Sequence, residues 1–249
     1  MAGLVAAMLL AALALMRGER LTVPRGARVR LAVAAFTNVF AWMGFSGLSL
    51  RWIDVGEAAL LVYSMPVWAT VFAWALRGHR PTPRGFLALA LGLTGIGVLL
   101  GADGGALGTD KLPGVGFALA AAILFALGAV LNSRALPVSP FALTAWQVGL
   151  GCLPMVVLGV TLERPDVTSL SGASAWAFAY IALIPMAACF LTWFEALRRL
   201  PPVAASTSML LVPLIGILSA ALLLGEPLGP RQMLALALTL GGVVLALRT

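Results

Sequence analysis

SMPVWATVFAWALRGHRPTPRGFLALALGLTGIGVLL, residues 64–100, is written again 147 residues later as LVPLIGILSAALLLGEPLGPRQMLALALTLGGVVLAL, residues 211–247. Without a gap, 14 of 37 positions are identical, although Leu and Ala matches weigh little in a chain so rich in both. The punctuation is more informative: Pro66/Pro213, Gly78/Gly225, Pro83/Pro230, Arg84/Arg231 and Gly95/Gly242. A bend, a helix end, a turn and a re-entry recur in register, which reads as a duplicated two-helix hairpin. Duplication of this kind inside a membrane protein points to a transporter.

The membrane assignment comes from composition. The 249 residues are 61% hydrophobic and 10% charged, more apolar surface than a soluble domain can hide. Charges are almost absent from runs long enough to cross a hydrocarbon core of ~30 Å, which takes about 20 helical residues. Alternation of the barrel-strand type is missing and Ala, Leu and Gly dominate, so the spans are read as helices. The net charge of +7 does not mark a nucleic-acid partner, because the bases sit in short loops between apolar runs, where they act as topology determinants. Cys152 and Cys189 each fall inside an apolar span, imply no disulfide, and form no C-x-x-C metal pair.

Nine spans are expected, at about 1–16, 29–50, 55–76, 84–101, 113–134, 140–162, 173–197, 203–224 and 230–248, joined by loops rich in Gly, Pro and charge. Alternate loops differ in sign. One side carries Arg17, Arg20, Arg25, Arg28, Arg30, Arg77, Arg80, Arg84, Arg134, Arg198, Arg199 and Arg248. The other has Arg51, Lys111, Arg164 and Arg231 together with seven acids. The arginine-rich side is expected to be cytoplasmic, with the C-terminus inside.

Shifting by 147 maps span 230–248 onto 84–101, 203–224 onto 55–76, 173–197 onto 29–50, and 140–162 onto the start of the chain. Span 113–134 then has no counterpart. The expectation is an all-α polytopic protein on a five-plus-five plan whose first helix is missing, with residues 1–101 as the first repeat (four helices) and 102–249 as the second (five helices). Because each full repeat holds an odd number of spans, the halves are expected to be inverted in the membrane. A signal peptide over 1–16 fits poorly, since no basic segment precedes it and no A-x-A site ends it.

The strings YSMPVWATVFAWALRGHRPTPRGFLALALGLTGIGVLL, ALAAAILFALGAVLNSRAL and SMLLVPLIGILSAALLLGEPLGPRQMLALALTLGGVVLAL resemble the EamA-type drug/metabolite transporter superfamily, a bacterial inner-membrane group. Pro213, Gly225, Glu226, Gln232, Gly241 and Gly242 form the most specific part of the likeness; in the first repeat His79 and Gly85 stand at the Glu and Gln positions. The resemblance implies a ten-helix exporter of amino acids, metabolites or drugs, multi-pass in the bacterial inner membrane. The first helix of that family, which carries a Trp-Gly signature, is absent here.

A solute pathway should place polar and aromatic side chains on one face of otherwise apolar helices, because polar groups facing lipid are costly. Asn38, Trp42, Phe45 and Ser49 fall at i, i+4, i+7 and i+11. Tyr63, Pro66, Thr70 and Trp74 form a second stripe, and Phe125 shares a face with Asn132. The expected substrate-binding residues are therefore Asn38, Trp42, Phe45, Tyr63, Thr70 and Phe125, with Pro66 and Pro213 as helix bends. Each has a plainer reading as core packing, interface belt or, for Asn38 and Gln147, an amide holding two helices together. Glu195, the one acid inside a span, reads best as a snorkelling residue paired with Arg198 and Arg199.

Other functions are disfavoured by what is missing. The sole lysine, Lys111, precedes Leu112, so no phosphate-binding G-x-x-x-x-G-K-[ST] exists. Gly44-Phe45-Ser46-Gly47 matches the G-x-S-G string of intramembrane proteases, yet the only histidine, His79, lies in a loop on the opposite side. No metal-ligand cluster and no cofactor are expected. With no basic residue inside a span, neutral, zwitterionic or cationic organic solutes, aromatic amino acids among them, suit the aromatic stripes better than sugar phosphates. The reading is a non-enzymatic exporter whose partners are a small-molecule solute and the bilayer. Its alternative is a lipid-carrier flippase or a non-transporting packing partner. Gly92, Gly95, Gly97 and Gly101 serve either packing within the chain or a homodimer contact.

Overall fold

The computed structural model describes residues 1–53, 58, 61–78, 82–100, 109–133, 136–162, 172–201 and 229–247, with Ala205, Ser208, Met209, Leu211, Val212, Ile215, Ser219 and Leu222. Among them all regular structure is helical, and its long segments number eight. These are α1 (Ala2–Met16), α2 (Arg25–Ser49), α3 (Met65–Arg77), α4 (Pro83–Leu100), α5 (Leu112–Asn132), α6 (Pro140–Leu162), α7 (172–199) and α8 (Pro230–Leu247). Segments within α2, α5, α6 and α7 are long and apolar enough to cross a membrane. Most of the expected span 203–224, Pro213 included, lies outside the described residues.

Helix ends follow local chemistry. α1 stops at Arg17 because Gly18, at φ 74°, takes the left-handed conformation and turns the chain so that Glu19 N–H reaches the Ala14 carbonyl at 2.9 Å. Gly78, at φ 69°, ends α3 in the same way. Pro83 and Pro230 both open their helices, where a missing N–H costs nothing. α4 and α8 therefore begin 147 residues apart to the residue.

Two stretches depart from the α-helix. Phe36–Phe45 in α2 and Ala182–Cys189 in α7 are wound with wide, π-type turns, and they overlap when offset by 147. In α7 Pro185 supplies a cause, since a proline cannot donate to the ladder. In α2 the Thr37 hydroxyl bonds the Val33 carbonyl at 2.8 Å just as the wide turns begin, a bond that competes with the backbone's own.

The chain divides into two compact units. Met1–Gly44 with Leu131–Arg199 holds α1 and most of α2 together with α6 and α7; α1 and α2 both lie along α6, and α7 packs on α1 and α6. Backbones come close in this unit. A side chain at Gly151 would stand 2.8 Å from the Ala35 carbonyl oxygen and 2.5 Å from Val39 Cβ. Ala6, Ala14, Ala34, Ala35 and Ala142 are buried beside such approaches.

The other unit, Phe45–Val130 with Leu200–Thr249, contains α3, α4, most of α5, and α8. Its tightest pair is α4 with α8, where a Cβ on Gly242 would lie 2.7 Å from the Ala88 carbonyl oxygen and 2.8 Å from Gly92 N. Gly92 thus packs within the chain, while Gly97 has open space beside it. A Cβ on Gly114 of α5 would lie 3.0 Å from the Ser49 carbonyl oxygen. Lipid tails are as apolar as leucine, so small residues that let backbones touch replace the hydrophobic drive of a soluble core.

The contact makes a clean prediction. Gly242→Ala puts a methyl group against backbone that cannot move aside and should destabilise the detergent-solubilised protein by about 1–3 kcal/mol. Gly241→Ala, with nothing within 4 Å, should be neutral or up to ~1 kcal/mol stabilising. Thermal unfolding of the two variants checks this; equal melting temperatures would remove the close approach from the account.

Candidate functional site

The polar centre of the first unit is an amide pair. Asn38, on the wide-turn stretch of α2, and Gln147 on α6 are both essentially inaccessible, at 0% and 1% exposure. Asn38 Nδ2 donates to Gln147 Oε1 at 3.5 Å, a long bond, while Asn38 Oδ1 is buried with no hydrogen-bond partner. Thr144, one turn earlier on α6, is equally enclosed and bonds the Pro140 carbonyl at 2.9 Å. Gln147 is the residue that stripe reasoning underweighted. Its signal was an unpaired amide near the start of an apolar span, which gains most from a partner on another helix.

Wide turns also alter the expected stripe. An i→i+5 ladder takes about one extra residue per turn, so residues spaced for an α-helix no longer share a face. Asn38 is enclosed, whereas Trp42 and Phe45 are half-buried. The Phe45 ring meets Phe117 of α5 at 5.8 Å between centroids, and Phe117 in turn stacks on Trp52 at 5.7 Å. Ser49 is buried but turned to its own backbone, donating to the Ser46 carbonyl at 2.7 Å.

In the second unit, Tyr63 and Ser64 form a turn rather than helix, and α3 begins immediately after them. Pro66 lies in the first turn of α3, where its absent N–H is harmless, so the break comes before the proline and not at a kink around it. Thr70, buried, spends its hydroxyl on the Pro66 carbonyl at 2.8 Å. The Ser64 hydroxyl accepts from the Trp68 indole at 3.2 Å and donates to the Leu61 carbonyl at 2.6 Å. Phe125 is 2% exposed, inside α5. Tyr63, Pro66 and Thr70 are thus gathered at one helix start. Pro213 lies outside the described residues.

Next to Gln147 the first unit keeps a small cavity of about 10 Å³ between Asn132, Leu143, Gln147, Phe194, Leu197 and Arg198. That is room for one water, and Asn132 Nδ2 is a buried donor without a hydrogen-bond partner. Glu195 is held by Arg199, Nε to Oε1 at 2.8 Å, and by Arg198 at 3.6 Å, while still one-third exposed at the end of α7. The described residues contain no His, Cys, Asp and Glu grouping able to hold a metal. Amides, aromatic rings and hydroxyls turned back on their helices can bind a polar organic molecule by shape and hydrogen bonds, but they supply no nucleophile–base pair.

Known proteins supply the class. The model of the EamA-like transporter family matches residues 1–101 and 112–248. A probable terminal-alkyne amino-acid exporter of Streptantibioticus cattleyicolor is 30% identical over 233 residues, covering 87% of this chain and 75% of that protein. The aromatic amino acid exporter YddG of Ancylobacter novellus is 28% identical over 168 residues, covering 65% of this chain and 56% of its own length. A crystal structure superposes with a TM-score of 0.85 at 23% identity, spanning 99% of this chain and 86% of its own, so the fold is shared. Matched along nearly its whole length, the chain belongs to the EamA-like transporter family, and is therefore a multi-pass membrane transporter and not an enzyme.

Proposed function

We propose that this protein exports small organic solutes, amino acids or related metabolites, across a bacterial inner membrane by alternating access. The observation that carries the reading is the register of 147 residues, kept at the starts of α4 and α8 and in the overlapping wide-turn stretches of α2 and α7. In this reading residues 1–101 and 102–249 are two repeats of opposite orientation, nine spans in all, which provide the two exchangeable states that a transporter needs. Two relatives named as amino-acid exporters support the solute class. The arginine-rich loops, and with them the C-terminus, lie in the cytoplasm.

Within that scheme Trp42, Phe45, Tyr63, Thr70 and Phe125 line the solute's path, with aromatic faces for stacking and cation–π contact. Asn38 supplies a hydrogen-bonding carbonyl, and because it is enclosed in this structure it meets solute only when α2 and α6 part around it. The turn at residues 63–64 ahead of Pro66, and Pro213 in the second repeat, are where backbone direction changes.

Two measurements test this. Proteoliposomes holding the purified chain should exchange labelled aromatic amino acids. Tyr63→Ala should raise KM about tenfold or more, as expected when a stacking partner worth 1–2 kcal/mol is lost. Absence of exchange by folded protein across a panel of amino acids and organic cations would sink the reading in favour of lipid-carrier flipping or a non-transporting role. The Asn38→Ala and Gln147→Ala variants and their double mutant should show a coupling of about 0.6–1.7 kcal/mol in thermal stability. A coupling near zero would leave the pair without a role in joining α2 to α6.

A further inference from the structure

The loop between α1 and α2 is held down rather than free. Leu21 and Val23 pack on a buried cluster of Ala14, Ala27, Leu31, Leu136, Val138, Ala142 and Leu143. Arg17 stands over the Phe141 ring, 4.8 Å from its centroid. The Trp146 indole N–H donates to the Leu21 carbonyl at 2.9 Å, tying the loop to α6. Between the loop, the start of α2 and α6 this leaves an open groove of about 560 Å³ lined by Leu21, Val23, Arg28, Leu31, Trp146 and Leu150. It belongs to none of the residues assigned to solute above.

Four properties decide what fits it. Apart from Thr22 and Arg28 its walls are apolar, and the one indole donor is already used by Leu21, so most of the groove asks for hydrocarbon. Arg28 at its edge is exposed and makes no ion pair among the described residues. Residues 17–30 contain five arginines and a single acid, Glu19, so the field there is strongly positive. Depth is the fourth. With a rise of about 1.5 Å per residue, Trp146 and Leu150 lie roughly 9 and 15 Å along α6 from Pro140. Half of a ~30 Å hydrocarbon core is ~15 Å, the reach of an acyl chain in one leaflet.

We propose that this groove is a binding site for one anionic phospholipid, its phosphate on Arg28 and an acyl chain lying along Leu21, Val23, Leu31 and Leu150 against the exposed face of Trp146. A zwitterionic lipid would fill the same walls but leave the arginine field unanswered. A basic pocket beside membrane-spanning helices recognises anionic headgroups on this principle. Trp146, 40% exposed, is suited to flank such a chain. The occupant stabilises the loop between α1 and α2, and so acts on the unit that contains the Asn38–Gln147 pair without touching that pair.

Native mass spectrometry and thermal unfolding of the full chain in mild detergent test the assignment, using phosphatidylglycerol, phosphatidylcholine of the same acyl chains, and inorganic phosphate. The expected result is one retained phosphatidylglycerol, a higher melting temperature with it than with phosphatidylcholine, and no shift from phosphate. Arg28→Gln, an exposed substitution that should fold, is expected to cut the preference for phosphatidylglycerol about fivefold, the worth of one arginine near an anionic surface. Arg51→Gln should leave it intact. Equal retention of the two lipids, an unchanged preference in Arg28→Gln, equal losses in both variants, or a shift from phosphate alone would each overturn the site.

Discussion

Everything in this molecule depends on backbones touching. In hydrocarbon, burying one leucine against another gains little, because the lipid offers the same contact. Cohesion must come from dispersion at very short range, and Gly242 against Ala88 and Gly92, Gly151 against Ala35 and Val39, and Gly114 against Ser49 are where the chain obtains it. The alanines buried around these points are the surface of a helix made thin enough for its neighbour's backbone. A soluble core of the same size would use Leu, Ile and Phe there. Here many of those residues are turned outward, with Leu158, Leu183, Ile184 and Met233 among the exposed.

Close packing has a second consequence, for polar groups. Where backbones touch there is little space for water, and hydroxyls in the helices fold back on a carbonyl three or four residues earlier, as Thr37, Ser49, Thr70 and Thr144 do. Amides are too large to be satisfied that way. Asn38 and Gln147 therefore find each other across two helices, and a carbonyl oxygen remains over. An enclosed oxygen without a partner costs free energy, and it sits on a stretch whose wide turns already set it apart from ordinary helix. Such departures gather at functional positions.

Class was legible before any coordinates, because it is written in quantities that survive without geometry. Apolar run lengths report the membrane, and Pro83/Pro230 report a register that the starts of α4 and α8 then keep. The site was less legible, for a definite reason. The stripe through Asn38, Trp42, Phe45 and Ser49 assumed a constant 3.6-residue turn, and α2 does not keep it between Phe36 and Phe45. Nothing in the residue types announces that change on α2, whereas Pro185 does so on α7. Pro66 misled in another way: proline in an apolar run suggests a kink, but beside Tyr63–Ser64 it is the first turn of a new helix.

The compact units also constrain how the repeats can move. Each contains matching pieces of both halves: α1 lies on α6 in one, α4 on α8 in the other. A motion that swung residues 1–101 as one body against 102–249 would have to prise α4 from α8, where the Gly242 site meets backbone on two sides. It would equally have to separate α1 from α6. Those contacts are short-range and lost within an ångström, so they behave as fixed joints. What the duplication contributes is the matched pairs, and any exchange of solute access must work through regions that such pairs leave free, the wide-turn stretches of α2 and α7 and the break before α3 among them.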